Sequence, residues 1–160
     1  MIHPKYININ RILGAMTFLI SFIVYFDTMA PSVSYWDCGE FIAVSYTLGV
    51  PHPPGSPLFL LLGRIASMLP ISEDIAFRVN LLSPLASAFA VLFLYFIIVQ
   101  LVKHWRGKIE TSTDALIAFG AGVVGSMTFA FTDSHWFNAV EAEVYAFSTF
   151  FTAIVVWLAL

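Results

Sequence analysis

Two short stretches gather residue types that can move protons or hold ions. The first is Ser34-Tyr-Trp-Asp-Cys-Gly-Glu40, with Gly49-Val-Pro-His-Pro-Pro-Gly-Ser-Pro57 just beyond it. The second is Asp133-Ser-His135, followed by Glu141-Ala-Glu143. Asp37 and Glu40 are three residues apart, so on the first turn of a helix their side chains share a face. A carboxylate pair in that position can act as a general base or bind a cation. The same spacing also imitates a capping box, with Asp37 as N-cap and Glu40 reaching back to it. His52 lies in a turn stiffened by Pro51, Pro53, Pro54 and Pro57, where it could donate to a phosphate or tune a nearby acid. From an extended segment Glu141 and Glu143 would point the same way, as ligands of a hard cation do, and from a helix they would point apart. A solvated loop is the plainer reading of that pair. Cys38 is the sole cysteine, so an internal disulfide is excluded, and it reads as a small, weakly polar spacer between the acids.

The elements that must position these groups are made for lipid. Hydrophobic residues form 59% of the chain and charged residues 11%, far below the roughly 25% charge of soluble domains. Four apolar runs, at about 12–30, 81–102, 115–132 and 144–160, predict a multi-pass α-helical membrane protein. The runs are continuous rather than alternating, which argues against a transmembrane barrel. Lys5 and Arg11 precede the first run, and Lys103, Arg106 and Lys108 follow the second. The positive-inside rule then places the N-terminus in the cytoplasm and the segments 31–80 and 133–143 on the outer face. Eight of the ten acids fall on that outer side: Asp27, Asp37, Glu40, Glu73, Asp74, Asp133, Glu141 and Glu143. No basic patch points to nucleic acid.

The first outer loop contains Phe41 to Leu48 and Leu58 to Leu69, apolar but too short to span. Both predict interfacial or re-entrant helices. The prolines forbid one continuous helix between them, and Gly49 and Gly55 would supply the unusual backbone angles at the bends. Arg64 and Arg78 are the only outer-side arginines or lysines. Either could fork onto a phosphate, pair with Glu73 or Asp74, or reach lipid headgroups. Trp36 and Trp136 suit the headgroup level, and Gly120, Gly122 and Gly125 predict close helix packing. The last run is still apolar at Leu160, so residues 1–160 are expected to form a single N-terminal transmembrane domain of a longer chain.

Three ordered motifs carry a resemblance that covers nearly the whole chain. They are Trp36-Asp-x-Gly-Glu40, Leu48-Gly-Val-Pro-His-Pro-Pro-Gly-x-Pro-Leu58 and Trp136-Phe-x-Ala-Val-Glu-Ala-Glu-Val-Tyr145. Together they resemble a large family of bacterial multi-pass membrane proteins. Its animal relative is the endoplasmic-reticulum O-mannosyltransferase of plexin-type receptors. That family in turn resembles the C-type (GT-C) glycosyltransferases. The resemblance implies an all-α, GT-C-like bundle of about four spans here, with interfacial helices in the first outer loop.

The resemblance also implies an activity: inverting transfer of a mannose-like sugar from a polyprenyl-phosphate donor to a protein hydroxyl, on the periplasmic side of a bacterial inner membrane. It implies Asp37 as catalytic base, with Glu40 second. It puts Glu141 and Glu143 where some GT-C members bind metal, here Mg or Mn. His52, Arg64, Arg78 and His135 remain for substrate. Two other function classes stay open. One is a transporter or flippase of an anionic lipid or solute, which would carry charges inside its spans. The other is a non-catalytic assembly subunit that docks through the proline-rich turn. The fragment alone is expected to be inactive.

Overall fold

A computed structural model of the chain describes residues 2–53 and 55–160, so Met1 and Pro54 lie outside the described residues. Among the described residues, all eight elements are helices: α1 (Pro4–Thr28), α2 (Cys38–Thr47), α3 (Pro57–Met68), α4 (Ile75–Asn80), α5 (Leu82–Arg106), α6 (Ser112–Ala130), α7 (Asp133–Ala139) and α8 (Val144–Ala159). The protein is an all-α membrane bundle. Three helical stretches are long and apolar enough to cross a bilayer: α1, the run Ile75–Arg106, and α6. The fourth expected span is α8, which reaches that standard only together with α7, across a bend of 113°.

α5 is the central post, packed against α1, α6 and α8. Small residues let these helices approach closely. A Cβ on Gly122 would lie 2.8 Å from the Tyr95 ring, and one on Gly125 would lie 2.7 Å from Ile98. Gly120 differs from its two neighbours: it faces open space and mediates no packing. α6 begins at a true capping box, in which Thr111 and Asp114 each bond the other's backbone.

The second span starts earlier than its apolar run. α4 adds a turn ahead of α5, with Asp74 as its N-cap accepting from Ala76 N–H at 2.7 Å. The break at Leu81 follows from Pro84. Proline has no N–H to give the Asn80 carbonyl, and its ring crowds that carbonyl.

The two ends of the bundle are tied separately. At one end His3 N–H donates to Ile109 O at 3.0 Å, and Tyr6 meets Ser112 at 3.1 Å. This gathers the N-terminal and Lys103–Lys108 basic segments. At the other end Ala30 N–H donates to Val140 O at 2.8 Å, and the Asn80 amide donates to the carbonyls of Ala30 and Ser32, each at 2.9 Å. Segments 31–80 and 133–143 therefore share one end of the bundle.

There α2 and α3 lie side by side and run in the same direction. Phe41 meets Phe59 (ring centroids 5.5 Å), Ser45 meets Gly63, and Tyr46 meets Arg64, the last pair 18 residues apart in sequence. A parallel pair needs a return segment, and residues 49–56 provide it. The turn out of α2 is made by Leu48 at φ 53°, not by Gly49, while Gly55 at φ 76° makes the second bend as expected. α3 buries Phe59, Leu60, Gly63 and Ala66 and exposes Leu58, Leu61, Ile65 and Met68. An exposed apolar stripe at this helical spacing suits the bilayer boundary.

Candidate functional site: two adjoining acid clusters

The return segment has a direct consequence for chemistry. It carries His52 back along α2 to the helix's first turn. There Glu40 accepts from His52 N–H at 2.8 Å through Oε1, and Oε2 meets the ring Nδ1 at 2.6 Å. The hydrogen bond to His52 holds the Glu40 carboxyl below its usual range, and the same bond raises the imidazole above its own. Asp37 completes the group, with ligand atoms of all three residues within 4.8 Å of one another.

Asp37 does occupy the N-cap position of α2, and its carbonyl receives Phe41 N–H at 3.0 Å. Its side chain makes no capping bond, because its backbone is helical (φ −75°, ψ −9°) rather than extended. Glu40 is taken by His52. The capping box expected at this pair is therefore absent, which leaves the Asp37 carboxylate exposed at the mouth of the bundle. The residue before it, Trp36, is held at φ 60° and is also exposed.

A second cluster lies behind the first. Glu143 is extended (φ −127°, ψ 144°), so Glu141 and Glu143 reach the same way, and both reach Cys38. The expectation of a solvated loop fails here, because other segments meet this one: Ser34 and Cys38 reach the acid side chains, and Ser83 Oγ accepts from Glu143 N–H at 3.4 Å. Glu141 and Glu143 are 5% and 8% exposed. Ser34 donates to Glu141 Oε2, and the Cys38 thiol lies 3.7 Å from Glu143 Oε1. Burial, then the charges of Glu141 and Glu143, pushes the Cys38 thiol up to about 12. Burial, then Glu141, raises the Glu143 carboxyl. Cys38 is a buried core residue that also lies beside both acids. Sequence reading did not foresee that contact, although a cysteine one residue from Asp37 and two from Glu40 was a signal in plain view. Ser34 carried no comparable signal.

The remaining candidates stand elsewhere. Arg64 Nη1 donates to Tyr46 O at 2.6 Å and lies over the Tyr46 ring. That is the opposite end of α2 from Asp37, about 15 Å along a ten-residue helix. Arg78 donates to Ser72 O at 2.6 Å and Ser67 O at 2.7 Å. Both guanidiniums are therefore committed to backbone carbonyls near helix ends rather than to Glu73 or Asp74. His135 is buried on α7 against Phe129 (ring centroids 4.3 Å) and belongs to neither cluster.

Residues 37–160, which begin at Asp37, match the family model for the protein O-mannosyl-transferase TMEM260 N-terminal domain. The chain belongs to that family. The TMEM260 N-terminal domain thus supplies both clusters, apart from Ser34 at the start of the loop. Protein O-mannosyl-transferase tmem260 of Dictyostelium discoideum is 30% identical over 146 residues, which is 89% of this chain and 16% of the relative. Protein O-mannosyl-transferase TMEM260 of Mus musculus is 30% identical over 135 residues, 84% of this chain and 17% of the relative. The chain therefore spans about one sixth of the length of these TMEM260 relatives. No solved structure matches it significantly.

Proposed function

We propose that the chain forms the acceptor-activating end of a membrane glycosyltransferase of the inverting GT-C type. The reaction is transfer of a mannose-like sugar from a polyprenyl-phosphate donor to a protein hydroxyl. The observation that carries this reading is the exposed Asp37–Glu40–His52 group at one end of a membrane bundle. Kinship with relatives named protein O-mannosyl-transferase supports the sugar class. The lipid tail of the donor stays in the bilayer while its sugar phosphate meets the clusters. The end bearing the clusters faces the periplasm of a bacterial inner membrane, and the end bearing Lys5, Arg11 and Lys103–Lys108 faces the cytoplasm.

In this mechanism Asp37 takes the proton of the acceptor hydroxyl as its oxygen attacks the anomeric carbon. The bond from that carbon to the phosphate oxygen breaks, with inversion, and polyprenyl phosphate leaves. The His52 imidazolium, fixed by Glu40, donates to the departing phosphate. Arg64, Arg78 and His135 can join the substrate only if the committed contacts described above open. Glu141 and Glu143 lie close enough to support the donor site from behind.

The test uses the full-length protein in membranes with radiolabelled polyprenyl-phosphate mannose. Asp37→Asn is expected to fold and insert normally yet lose about 10²–10⁴ in transfer rate, the usual contribution of a general base. Wild-type transfer by Asp37→Asn removes Asp37 from the role. Label crossing into proteoliposomes with no covalent product would favour a transporter instead.

A further inference from the structure

Cys38, Glu141 and Glu143 each present one ligand atom, all within 4.8 Å of one another. We infer that this trio is a site for a thiophilic divalent cation of the zinc type, which clasps the first loop to the second. The inference is independent of the transfer reading, since it requires no donor, acceptor or turnover.

Burial argues for a cation first. The three residues are 0%, 5% and 8% exposed. Two carboxylates enclosed together repel one another, and hold the thiol beside them un-ionised, unless protons or a cation join them. Among the described residues, no ion pair reaches any of the three. Ser34 satisfies Glu141 Oε2, but Glu141 Oε1 is shut away from solvent with no hydrogen-bond partner. A carboxylate oxygen sealed in this way lacks a positive neighbour, and a cation would be one.

The geometry and donor types choose the ion. The separation of Cys38 Sγ from Glu143 Oε1, 3.7 Å, is that of a weak thiol hydrogen bond. It is close to the edge of a tetrahedral zinc site. Bonds of about 2.3 Å to sulfur and about 2.0 Å to oxygen, at the tetrahedral angle, hold the two atoms about 3.5 Å apart. Acids alone would fit the Mg or Mn that the family resemblance implies, but a sulfur ligand shifts the preference toward zinc. Binding would release the thiol proton, as thiolate coordination requires. Three protein ligands leave one position for water or another small ligand. Because Cys38 follows Asp37 in the chain, the clasp would also fix the start of α2 and hence the aim of Asp37.

Cobalt(II) is the probe. Full-length protein in detergent is stripped with a chelator and titrated with Co²⁺ alone. The wild type should show a thiolate-to-cobalt charge-transfer band that saturates at one equivalent and is displaced by Zn²⁺. Cys38→Ser should abolish the band. Glu143→Gln keeps the thiol and should weaken cobalt binding by more than the roughly 10–100-fold that loss of an outer-shell partner costs. It serves as the second variant should Cys38→Ser fail to fold. A wild type with no sulfur band overturns the inference and leaves the trio joined by shared protons. A band that persists in Cys38→Ser, or cobalt bound with no sulfur signature at Asp37, Glu40 and His52, overturns it equally.

Discussion

Glu40 holds His52 at two points, its backbone N–H at 2.8 Å and its ring Nδ1 at 2.6 Å. The two contacts fix both the position and the tautomer of the ring, with Nδ1 toward Glu40 and Nε2 directed away from that contact. The pair also has a defined pH window. Glu40 is lowered chiefly by its bond to His52, so the carboxylate is present at neutral pH and is lost only well into acid. His52 is raised chiefly by the same bond, so the imidazolium persists above its ordinary midpoint and is lost as pH rises through the raised value.

The expected result is therefore an NMR titration of His52 with a midpoint above that of a free histidine, returning toward the ordinary value in Glu40→Gln. A normal midpoint in the wild type would show that the pair does not form. Transfer activity should follow the same alkaline limb, because the imidazolium is the form assigned to the leaving phosphate.

Gly63 is where α3 closes on α2. A Cβ there would stand 2.8 Å from Ser45 Cβ, and α2 cannot easily retreat because its own Phe41 and Ile42 are buried in the core. Gly63→Ala should cost about 1–3 kcal/mol, the usual penalty of overpacking. Pairing it with Ser45→Gly should restore most of that loss. Thermal melts in detergent that show simple additivity of the two changes would argue against this contact.

The parallel α2–α3 pair also explains what could be read in the sequence and what could not. Three of the four apolar runs announced helices long enough to span, and the short runs after Glu40 and Pro57 announced α2 and α3, because both signals depend on length and hydropathy alone. The meeting of Glu40 with His52 depends on the path of the return segment. The prolines showed that this segment was stiff, but not where it led. The burial of Glu141 and Glu143 depends on Ser34, Cys38 and Ser83 arriving from other segments, a tertiary effect that no acid-x-acid pattern contains. Arg64 and Arg78 looked free for phosphate because the carbonyls of Tyr46, Ser67 and Ser72 that hold them become available only once α2 and α3 end where they do.

Leu48 closes α2 with a left-handed backbone, φ 53° and ψ 41°, at a position next to a glycine that does not make the turn. That conformation costs a non-glycine residue about 1–2 kcal/mol, and the Leu48 side chain is 56% exposed, so little packing offsets it. Leu48→Gly should therefore stabilise the protein by up to about 1 kcal/mol, seen as a raised melting temperature. A lowered one would mean that the side chain anchors the turn in the bilayer.

Asn80 ties the start of the first loop to the bundle from a fully buried position, donating through Nδ2 to Ala30 O and Ser32 O at 2.9 Å each. The stretch it holds leads directly into Ser34 and Asp37, so its loss should be felt in both clusters. Asn80→Ala removes a donor from two carbonyls and should cost about 1–3 kcal/mol. Asn80→Asp keeps the shape but aims a carboxylate at the same carbonyl oxygens, with no cation among its hydrogen-bond partners to compensate. An uncompensated buried charge costs about 3–5 kcal/mol, so the aspartate should be the worse of the two despite being the closer isostere. Melting of the two variants side by side decides the point. Equal losses would mean that Asn80 serves only to fill space, and that the anchoring of residues 30–32 lies with the Ala30–Val140 backbone bond instead.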